Sequence, residues 1–314
     1  MIGANPYAAG GYQVLKVETH LHTLHSDGHD SVAAMLAACH SAGYAAVALT
    51  DHNTLSGLHE AETAAEQLGL VLLPGVEVTT FRGHAVVLGI TRVPEWRDLE
   101  ARGLDALADD VHADGGLVCV SHPAALGSPV CSGCTWAWPV QPASVDLWEV
   151  FSAPRARSDV SAELWRQLLV AGGHAAPVAA GDVHAVSAAA RSKTATYVYA
   201  RERSPAGVIE ALRERRAYAS AGQPLDFWLE DGAGDVALVG TQVADEPGGP
   251  GVLGQGSGRA HARPSVWTPR CSAPGAVVRE VELPGWGRCL YAERRDADQQ
   301  LEAVSASIWI ASSH

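Results

Sequence analysis

The sequence predicts an α/β fold in which repeated β/α units form a parallel sheet or barrel, followed by a small β-sandwich-like domain. Up to residue 222, short β-rich apolar runs alternate with segments of helical periodicity, and the runs are apolar on both faces. After Gly222 no long helical period appears, and short alternating runs are separated by glycine and proline. We therefore place a domain boundary near residue 223, with a barrel at 1–222 and a β-rich domain at 223–314.

The first β/α units illustrate how each element is assigned. A strand is expected over 14–20, and a helix over 31–42 because Ser31 is a helix-start residue, apolar residues follow at helical spacing and Gly43 ends the pattern. The next strand covers 45–50, and Gly69 ends the next helix. The other strands of the barrel are expected at 71–78, 84–89, 117–121, 145–151, 176–181 and 196–200, and the other helices at 56–69, 99–113, 160–171 and 204–215.

The C-terminal region shows strand patterns only. The run 245–264 is rich in glycine and proline and is interpreted as a flexible loop. Strands are expected at 225–230, 235–240, 279–284, 288–294 and 306–311.

Composition and charge exclude several classes of protein. Hydrophobic residues make up 47% of the 314 and charged residues 18%, which is typical of a globular chain. The net charge is −13 and the only lysines are Lys16 and Lys193, so a long nucleic acid would be repelled. No stretch approaches the roughly 20 apolar residues of a membrane span. We expect a cytoplasmic protein with a small-molecule substrate and no membrane partner, and leave the oligomeric state open.

Most of the six cysteines are interpreted as reduced thiols, because a chain of this length needs no disulfides to fold, and Cys131 and Cys134 are the exception. Cys131 and Cys134 form a CxxC pair, which has the spacing of half a zinc site or of a redox pair. Since no second CxxC is present, we interpret this segment as an ordinary loop.

Imidazoles and carboxylates follow the ends of several expected strands. In a closed parallel barrel these ends meet at one mouth. Crowded carboxylates and imidazoles would repel or lose solvation unless cations lay among them, and neutral imidazole with carboxylate suits zinc, manganese or iron. The sequence therefore predicts a multinuclear metal site. Its candidate residues are His20, His22, Asp51, His52, Glu77, His84, His122, Asp182 and His184.

The motifs ETHLHTLHSDG, ALTDHN, LPGVE, GHAVVLG, VSHP and AGDVH, in this order, resemble the PHP superfamily, named for polymerase and histidinol phosphatase domains. The resemblance covers roughly residues 17–222. It implies a distorted seven-stranded β/α barrel, called a (β/α)7 PHP barrel. It also implies that the barrel binds two or three divalent cations, which would be Mn, Fe or Zn. The tail and the segment TYVYARERSPAGVIEALRERRAYASAG resemble the branch that includes carbaryl hydrolase.

The resemblance also implies which residues bind each cation. His20, His22 and Asp182 would hold one, with Glu77 bridging from it. A second would be held by Asp27, His52 and His184, and a third by His84 and His122 with Glu77. Asp27 stands where some members have histidine, and Glu18 where aspartate is frequent. Asp51 is expected to orient a neighbouring imidazole.

Hydrolysis is the chemistry that such a site performs. Adjacent cations lower the pKa of bound water, supply a hydroxide nucleophile and polarise a P=O or C=O group. Asp27 and Glu77 are the predicted catalytic carboxylates, and His25 is a candidate acid for the leaving group. A GxSxG motif and a P-loop are both absent from the sequence, which argues against a serine nucleophile and a nucleotide-binding loop.

Two features point to different substrates. Arg155, Arg157 and Arg191 follow expected strand ends, where they could bind phosphate, and this favours a small phosphomonoester or phosphodiester. Trp136 and Trp138 lie in the loop after His122, where an aromatic wall would suit an amide, carbamate or ester substrate, although these rings could instead pack on the barrel. The predicted enzyme is a metal-dependent phosphoesterase; the alternatives are an amide, carbamate or ester hydrolase and a non-catalytic metal-binding domain.

Overall fold

The computed structural model describes residues 5–127, 130–131, 133–139, 141–152, 157–244 and 267–311. The helices within these ranges are α1 (Pro6–Ala9), α2 (Val32–Ser41), α3 (Leu58–Leu68), α4 (Leu99–Arg102), α5 (Leu104–Ala113), α6 (Ser158–Val170), α7 (Val186–Ala189) and α8 (Pro205–Arg213), with a 3₁₀ turn at Pro142–Ser144. The strands up to residue 222 are β1 (Gln13–Glu18), β2 (Ala46–Leu49), β3 (Val71–Thr80), β4 (Gly83–Leu88), β5 (Leu117–Val120), β6 (Leu147–Phe151), β7 (Ala176–Ala179), β8 (Ala195–Ala200) and β9 (Ala217–Ser220). Those after it are β10 (Phe227–Glu230), β11 (Val236–Leu238), β12 (Gln242–Ala244), β13 (Thr268–Cys271), β14 (Val277–Leu283), β15 (Gly287–Arg295), β16 (Leu301–Ser305) and β17 (Ile308–Ala311).

Seven strands form a distorted barrel. β1, β2 and β3 are parallel neighbours, β5, β6 and β7 form a second parallel set, and β4 lies between the two sets. The chain just after β1 meets the chain after β7 through a parallel bridge between Leu21 and Val183, which closes the ring. The predicted α/β barrel is confirmed.

The direction of β4 differs from an all-parallel arrangement. β4 runs antiparallel to both β3 and β5. Only Phe81 and Arg82 separate β3 from β4. Two residues suffice for a hairpin, whereas a parallel connection needs about a dozen or more. β8 is also antiparallel to its neighbour, β1.

The helices that the sequence predicts begin and end near the expected residues, with one exception. The Ser31 hydroxyl accepts a hydrogen bond from the Ala34 amide at 3.3 Å at the start of α2, and α3 ends at Gly69 with φ +66°. The helix expected over 99–113 is instead two helices, α4 and α5, because Gly103 breaks it with φ +84°. A left-handed backbone at this position cannot continue an α-helix.

The C-terminal region is β-rich as expected, but its strands extend the barrel's own sheet. β16 pairs with β9, and β15, β17 and β12 follow it outward, while β10, β11 and β13 form a separate three-stranded sheet. The predicted loop at 245–264 lies outside the described residues. One hydrophobic core joins the two regions, since buried Tyr7 and Val17 share it with Phe227 and Ile308. The domain boundary near residue 223 therefore stays a prediction.

None of the helices in the described ranges combines the length and the apolar composition that a bilayer crossing requires.

Candidate metal centre

The extended chain after β1 brings the first two histidines to the barrel mouth. The amide of His22 donates to the carbonyl of Val183 at 2.8 Å, and the amide of Val183 donates to the carbonyl of His20 at 3.1 Å. These two bonds set the HxH pair beside Asp182 and His184, which follow β7. Both rings of the pair are fully buried.

Glu77, near the middle of β3, is the centre of the site and is 1% exposed. Its two carboxylate oxygens face five imidazoles. Oε2 lies 3.2 Å from His20 Nε2, 3.3 Å from His22 Nε2 and 3.0 Å from His52 Nδ1. Oε1 lies 3.0 Å from His84 Nδ1 and 2.9 Å from His122 Nε2. A carboxylate in this position can connect several cation sites.

The first group of donors consists of His20, His22 and Asp182. Oδ1 of Asp182 lies 3.5 Å from His20 Nε2 and 3.3 Å from His22 Nε2. Ligands bound about 2.1 Å from one zinc-like cation are separated by roughly 3.0–3.4 Å. The separations in this group would therefore suit a ligand shell around one cation, to which Glu77 would contribute Oε2.

The second group adds His52, His184 and Asp27 to His22 and forms the open side of the site. Asp27 Oδ1 lies 3.3 Å from His184 Nε2, and its Oδ2 lies 3.3 Å from His52 Nε2. The side chains of His52 and His184 are 24% and 32% exposed and that of Asp27 is 57% exposed. Substrate and water can reach the centre from this side.

Gly28 and Asp51 hold the loop that carries Asp27. A Cβ at Gly28 would lie 2.5 Å from the main chain of His22 and Thr23, so only glycine allows the loop to fold this closely. Buried Asp51 accepts hydrogen bonds from the Thr23 amide at 2.8 Å and the Ser26 hydroxyl at 2.6 Å. Asp51 therefore positions a loop, whereas the sequence predicted that it orients an imidazole.

The third group consists of His84, His122 and Cys134. His84 lies in β4 and His122 follows β5, so the hairpin direction of β4 brings these two rings together. Their ring centroids are 5.1 Å apart. Cys134 comes from the loop after His122 and is 6% exposed. The sequence interpretation of this cysteine as part of an ordinary loop did not anticipate its position.

Unpartnered ring nitrogens show that the site fits bound cations. The Nε2 atoms of His20, His22 and His84 and the Nδ1 atom of His122 are buried and make no hydrogen bond. Such orphaned acceptors are costly in a folded protein unless a ligand satisfies them. Imidazole nitrogens and carboxylate oxygens are donors that zinc, manganese and iron accept. These residues therefore suit divalent cations.

The carboxylates and imidazoles of the site shift one another's pKa values. Burial would raise the pKa of Glu77, but the facing His20 and the hydrogen bond from His122 hold it well below its usual value. Burial lowers the pKa of His22, but the facing carboxylates of Asp182 and Glu77 outweigh it and raise this pKa to about 9. The buried carboxylates thus favour positive charge on the groups that face them, which a bound cation would supply.

Glu149 is a residue of the site that the sequence analysis missed. This carboxylate lies in β6 and is 1% exposed. Its Oε1 lies 2.8 Å from His20 Nδ1, and its Oε2 accepts a hydrogen bond from the His122 amide at 2.6 Å. The contact with Nδ1 turns His20 Nε2 toward the centre, as carboxylates beside metal-binding histidines commonly do. A carboxylate inside the apolar run VDLWEVF was the available signal.

Glu18 holds the base of the site. Its Oε1 accepts hydrogen bonds from the amides of His20 at 3.1 Å and Gly181 at 2.9 Å, which ties the end of β1 to the segment before Asp182. Burial raises the pKa of Glu18 to about 7.

His25 lies outside the three groups of donors. Its Nδ1 is 2.8 Å from the Ser56 hydroxyl, and its Nε2 is 3.6 Å from Glu60 Oε2 at the start of α3. Both ring nitrogens of His25 therefore face side chains outside the donor groups, Ser56 and Glu60. A role as leaving-group acid stays a prediction.

The residues predicted to contact substrate are spread more widely. Trp138 is 7% exposed and its Nε1 donates to Thr80 Oγ1 at 3.1 Å, so its ring packs on the β3–β4 hairpin, which is the alternative that the sequence left open. Trp136 is partly buried and packs against the same core. Arg157 precedes α6 and Arg191 follows α7, and both are exposed. Arg155 lies outside the described residues.

Comparisons with known proteins identify the amino-terminal part of the chain. Residues 18–115 match the model of the PHP domain. The 5'-3' exoribonuclease of Haemophilus influenzae is 38% identical over 65 residues, which are 21% of this chain and 24% of that relative. The match thus spans about a quarter of the relative's length. The resemblance to the carbaryl hydrolase branch stays a prediction.

One solved structure shares the fold, and a second gives a weaker superposition. A two-domain protein from Bacteroides vulgatus containing a predicted PHP-like metal-dependent phosphoesterase superposes with a TM-score of 0.56 at 19% identity, over 90% of this chain and 76% of the other. An amidohydrolase from Chromobacterium violaceum gives a TM-score of 0.40 at 18% identity, over 54% of this chain and 87% of the other. The superposition on the Bacteroides vulgatus protein covers 90% of this chain, so the shared fold includes strands of the C-terminal region.

Proposed function

Since residues 18–115 belong to the PHP domain family, we propose that the chain is a metal-dependent hydrolase that cleaves small phosphoesters. The observation that carries this proposal is the arrangement of three donor groups around Glu77. A shared carboxylate keeps cations close together, as in phosphatases and nucleases, where both the attacking and the leaving oxygen need stabilisation. Cations bound here would lower the pKa of water and polarise a P=O bond.

The candidate ligands differ in burial, and this difference suggests different roles. His20, His22 and Asp182 form the inner side of the site, and Glu149 fixes the ring of His20. Asp27, His52 and His184 face the opening, where a substrate would approach. Both oxygens of Glu77 face imidazoles, so this residue holds the centre together and is poorly placed to transfer protons.

Two further observations support a phosphoester over a carbon ester. The relative from Haemophilus influenzae is named an exoribonuclease, and such an enzyme cleaves phosphodiesters. The aromatic wall that favoured an amide, carbamate or ester is weakened, because Trp138 is buried in the core. The net charge of −13 supports a small substrate over a long nucleic acid.

Paired substrates test the proposal. Manganese-loaded and zinc-loaded protein would be assayed with p-nitrophenyl phosphate, bis-p-nitrophenyl phosphate, p-nitrophenyl acetate and a naphthyl carbamate. We expect kcat/KM for one of the two phosphates to exceed that for the carbon esters by at least about 100-fold, which corresponds to about 2.7 kcal/mol of transition-state binding. We also expect chelation to abolish this turnover. Metal-dependent hydrolysis of the carbon esters with both phosphates inert would overturn the proposal.

A further inference from the structure

We propose that Cys134, as a thiolate, is a ligand of the cation held by His84 and His122, and that a disulfide with Cys131 removes it from that cation. The inference rests on the metal centre of the proposed function and assigns one more residue to it. Cys134, His84 and His122 each offer a donor atom, and these three atoms lie within 4.8 Å of one another. All three residues are buried.

Unpartnered atoms point to a ligand between these side chains. His84 and His122 are each 5% exposed. His84 Nε2 and His122 Nδ1 are buried and make no hydrogen bond. The opposite nitrogens already face Glu77 Oε1. Each ring is therefore fixed on one side by the carboxylate, and a cation beside the cysteine sulfur is one way to satisfy the buried nitrogens.

The loop that carries Cys134 is fastened to the β3–β4 hairpin. The amide of Ala137 donates to the carbonyl of Arg82 at 2.6 Å, and Trp138 donates to Thr80. Gly133 has φ +77°, and a Cβ there would collide with the carbonyl of Thr80, so the residue before Cys134 has to be glycine. These contacts hold the sulfur at the third group of donors by the packing of the loop.

Cys131 gives Cys134 a second state. The structure joins the two sulfurs in a disulfide, with the Cα atoms 5.5 Å apart. In the cation-free reduced form, both thiols would pass two electrons and two protons to a glutathione-type disulfide. That oxidant becomes two thiols as the Cys131–Cys134 bond forms. A dithiol or two glutathione molecules would reverse the reaction. Only the reduced form has a sulfur free to lose its proton and bind a cation.

A thiolate also selects the cation. Sulfur is a soft ligand that favours zinc, iron or cobalt over manganese and magnesium. The other two groups offer only nitrogen and oxygen. The third position should therefore prefer a different cation from the other two.

Cobalt substitution tests the proposal by a readout independent of activity. The full chain would be loaded with Co²⁺ under dithiol reduction, and its near-ultraviolet absorption and metal content measured for the wild type, Cys134→Ser and Cys131→Ser. We expect a thiolate-to-cobalt band in the wild type and in Cys131→Ser, and its loss in Cys134→Ser with at least a tenfold weaker affinity for one equivalent. Oxidised glutathione should remove the band from the wild type but not from Cys131→Ser.

The outcomes separate this proposal from the proposed function. An unchanged band or unchanged metal content in Cys134→Ser would overturn the role of Cys134, even if phosphoester turnover is intact. A protein that binds cobalt with no thiolate band in any variant would overturn it as well. The expected pattern of bands in a protein without phosphoester turnover would support the ligand and reject the substrate class.

Discussion

Replacing Glu77 with glutamine is expected to lower kcat/KM for the phosphoester substrate by at least about 10³-fold, or about 4 kcal/mol. The substitution keeps the size of the side chain but removes the charge that faces five imidazoles at 2.9–3.3 Å. Because these imidazoles belong to all three donor groups, we expect the metal content to fall at more than one position. Metal analysis and steady-state kinetics on the same preparation measure both effects.

Two matched substitutions control for the change of charge. Glu149→Gln alters another buried carboxylate, which orients His20 but belongs to no donor group, so we expect a smaller loss of about 10–100-fold. Glu62→Gln alters an exposed carboxylate of α3 that lies beside His59 and should leave metal content and kinetics unchanged. If Glu77→Gln retains the metal content of Glu62→Gln, Glu77 is not the centre of the site.

Replacing His22 with alanine should cost more metal than replacing His184 with alanine. His22 belongs to two donor groups, because its ring lies between Asp182 on one side and Asp27 on the other, whereas His184 belongs to one. We expect His22→Ala to lose two equivalents and about 10³-fold of kcat/KM, and His184→Ala to lose one equivalent. Metal content would be measured after dialysis against metal-free buffer.

Folding has to be followed in the same variants. His22 is fully buried, while His184 is 32% exposed, so a loss of metal in His22→Ala could reflect unfolding. Circular dichroism and gel filtration should show a folded chain for both variants, since the barrel is closed by main-chain bonds between 20–22 and 183. Equal metal content in the two variants would contradict the shared position of His22.

The sequence was sufficient to place the nine predicted ligands near one another. Most of them lie at or next to an end of an apolar run, and the closing bridge between Leu21 and Val183 brings the first and last of them together. The antiparallel β4 was also accessible, because the five residues between the expected strands at 71–78 and 84–89 are too few for a parallel connection. Polar residues at the ends of apolar runs therefore carried most of the signal.

The residues that escaped prediction depend on packing between distant segments. Glu149 looked like part of an apolar strand, although a carboxylate between Trp148 and Val150 has to be compensated when the strand is buried on both faces. Cys134 reaches His84 and His122 only because its loop is fastened to the β3–β4 hairpin, and no spacing in the sequence encodes that contact. The burial of Trp138 has the same origin.

Metal analysis of the purified, reduced protein is the first test of whether the barrel mouth binds several cations. Plasma mass spectrometry would be applied after loading with zinc, manganese or iron and removal of free metal, and again after chelation. We expect two or three equivalents per folded chain, lost on chelation together with hydrolytic activity and restored by adding the cation back. A folded chain that retains less than one equivalent under all three loadings would contradict this expectation.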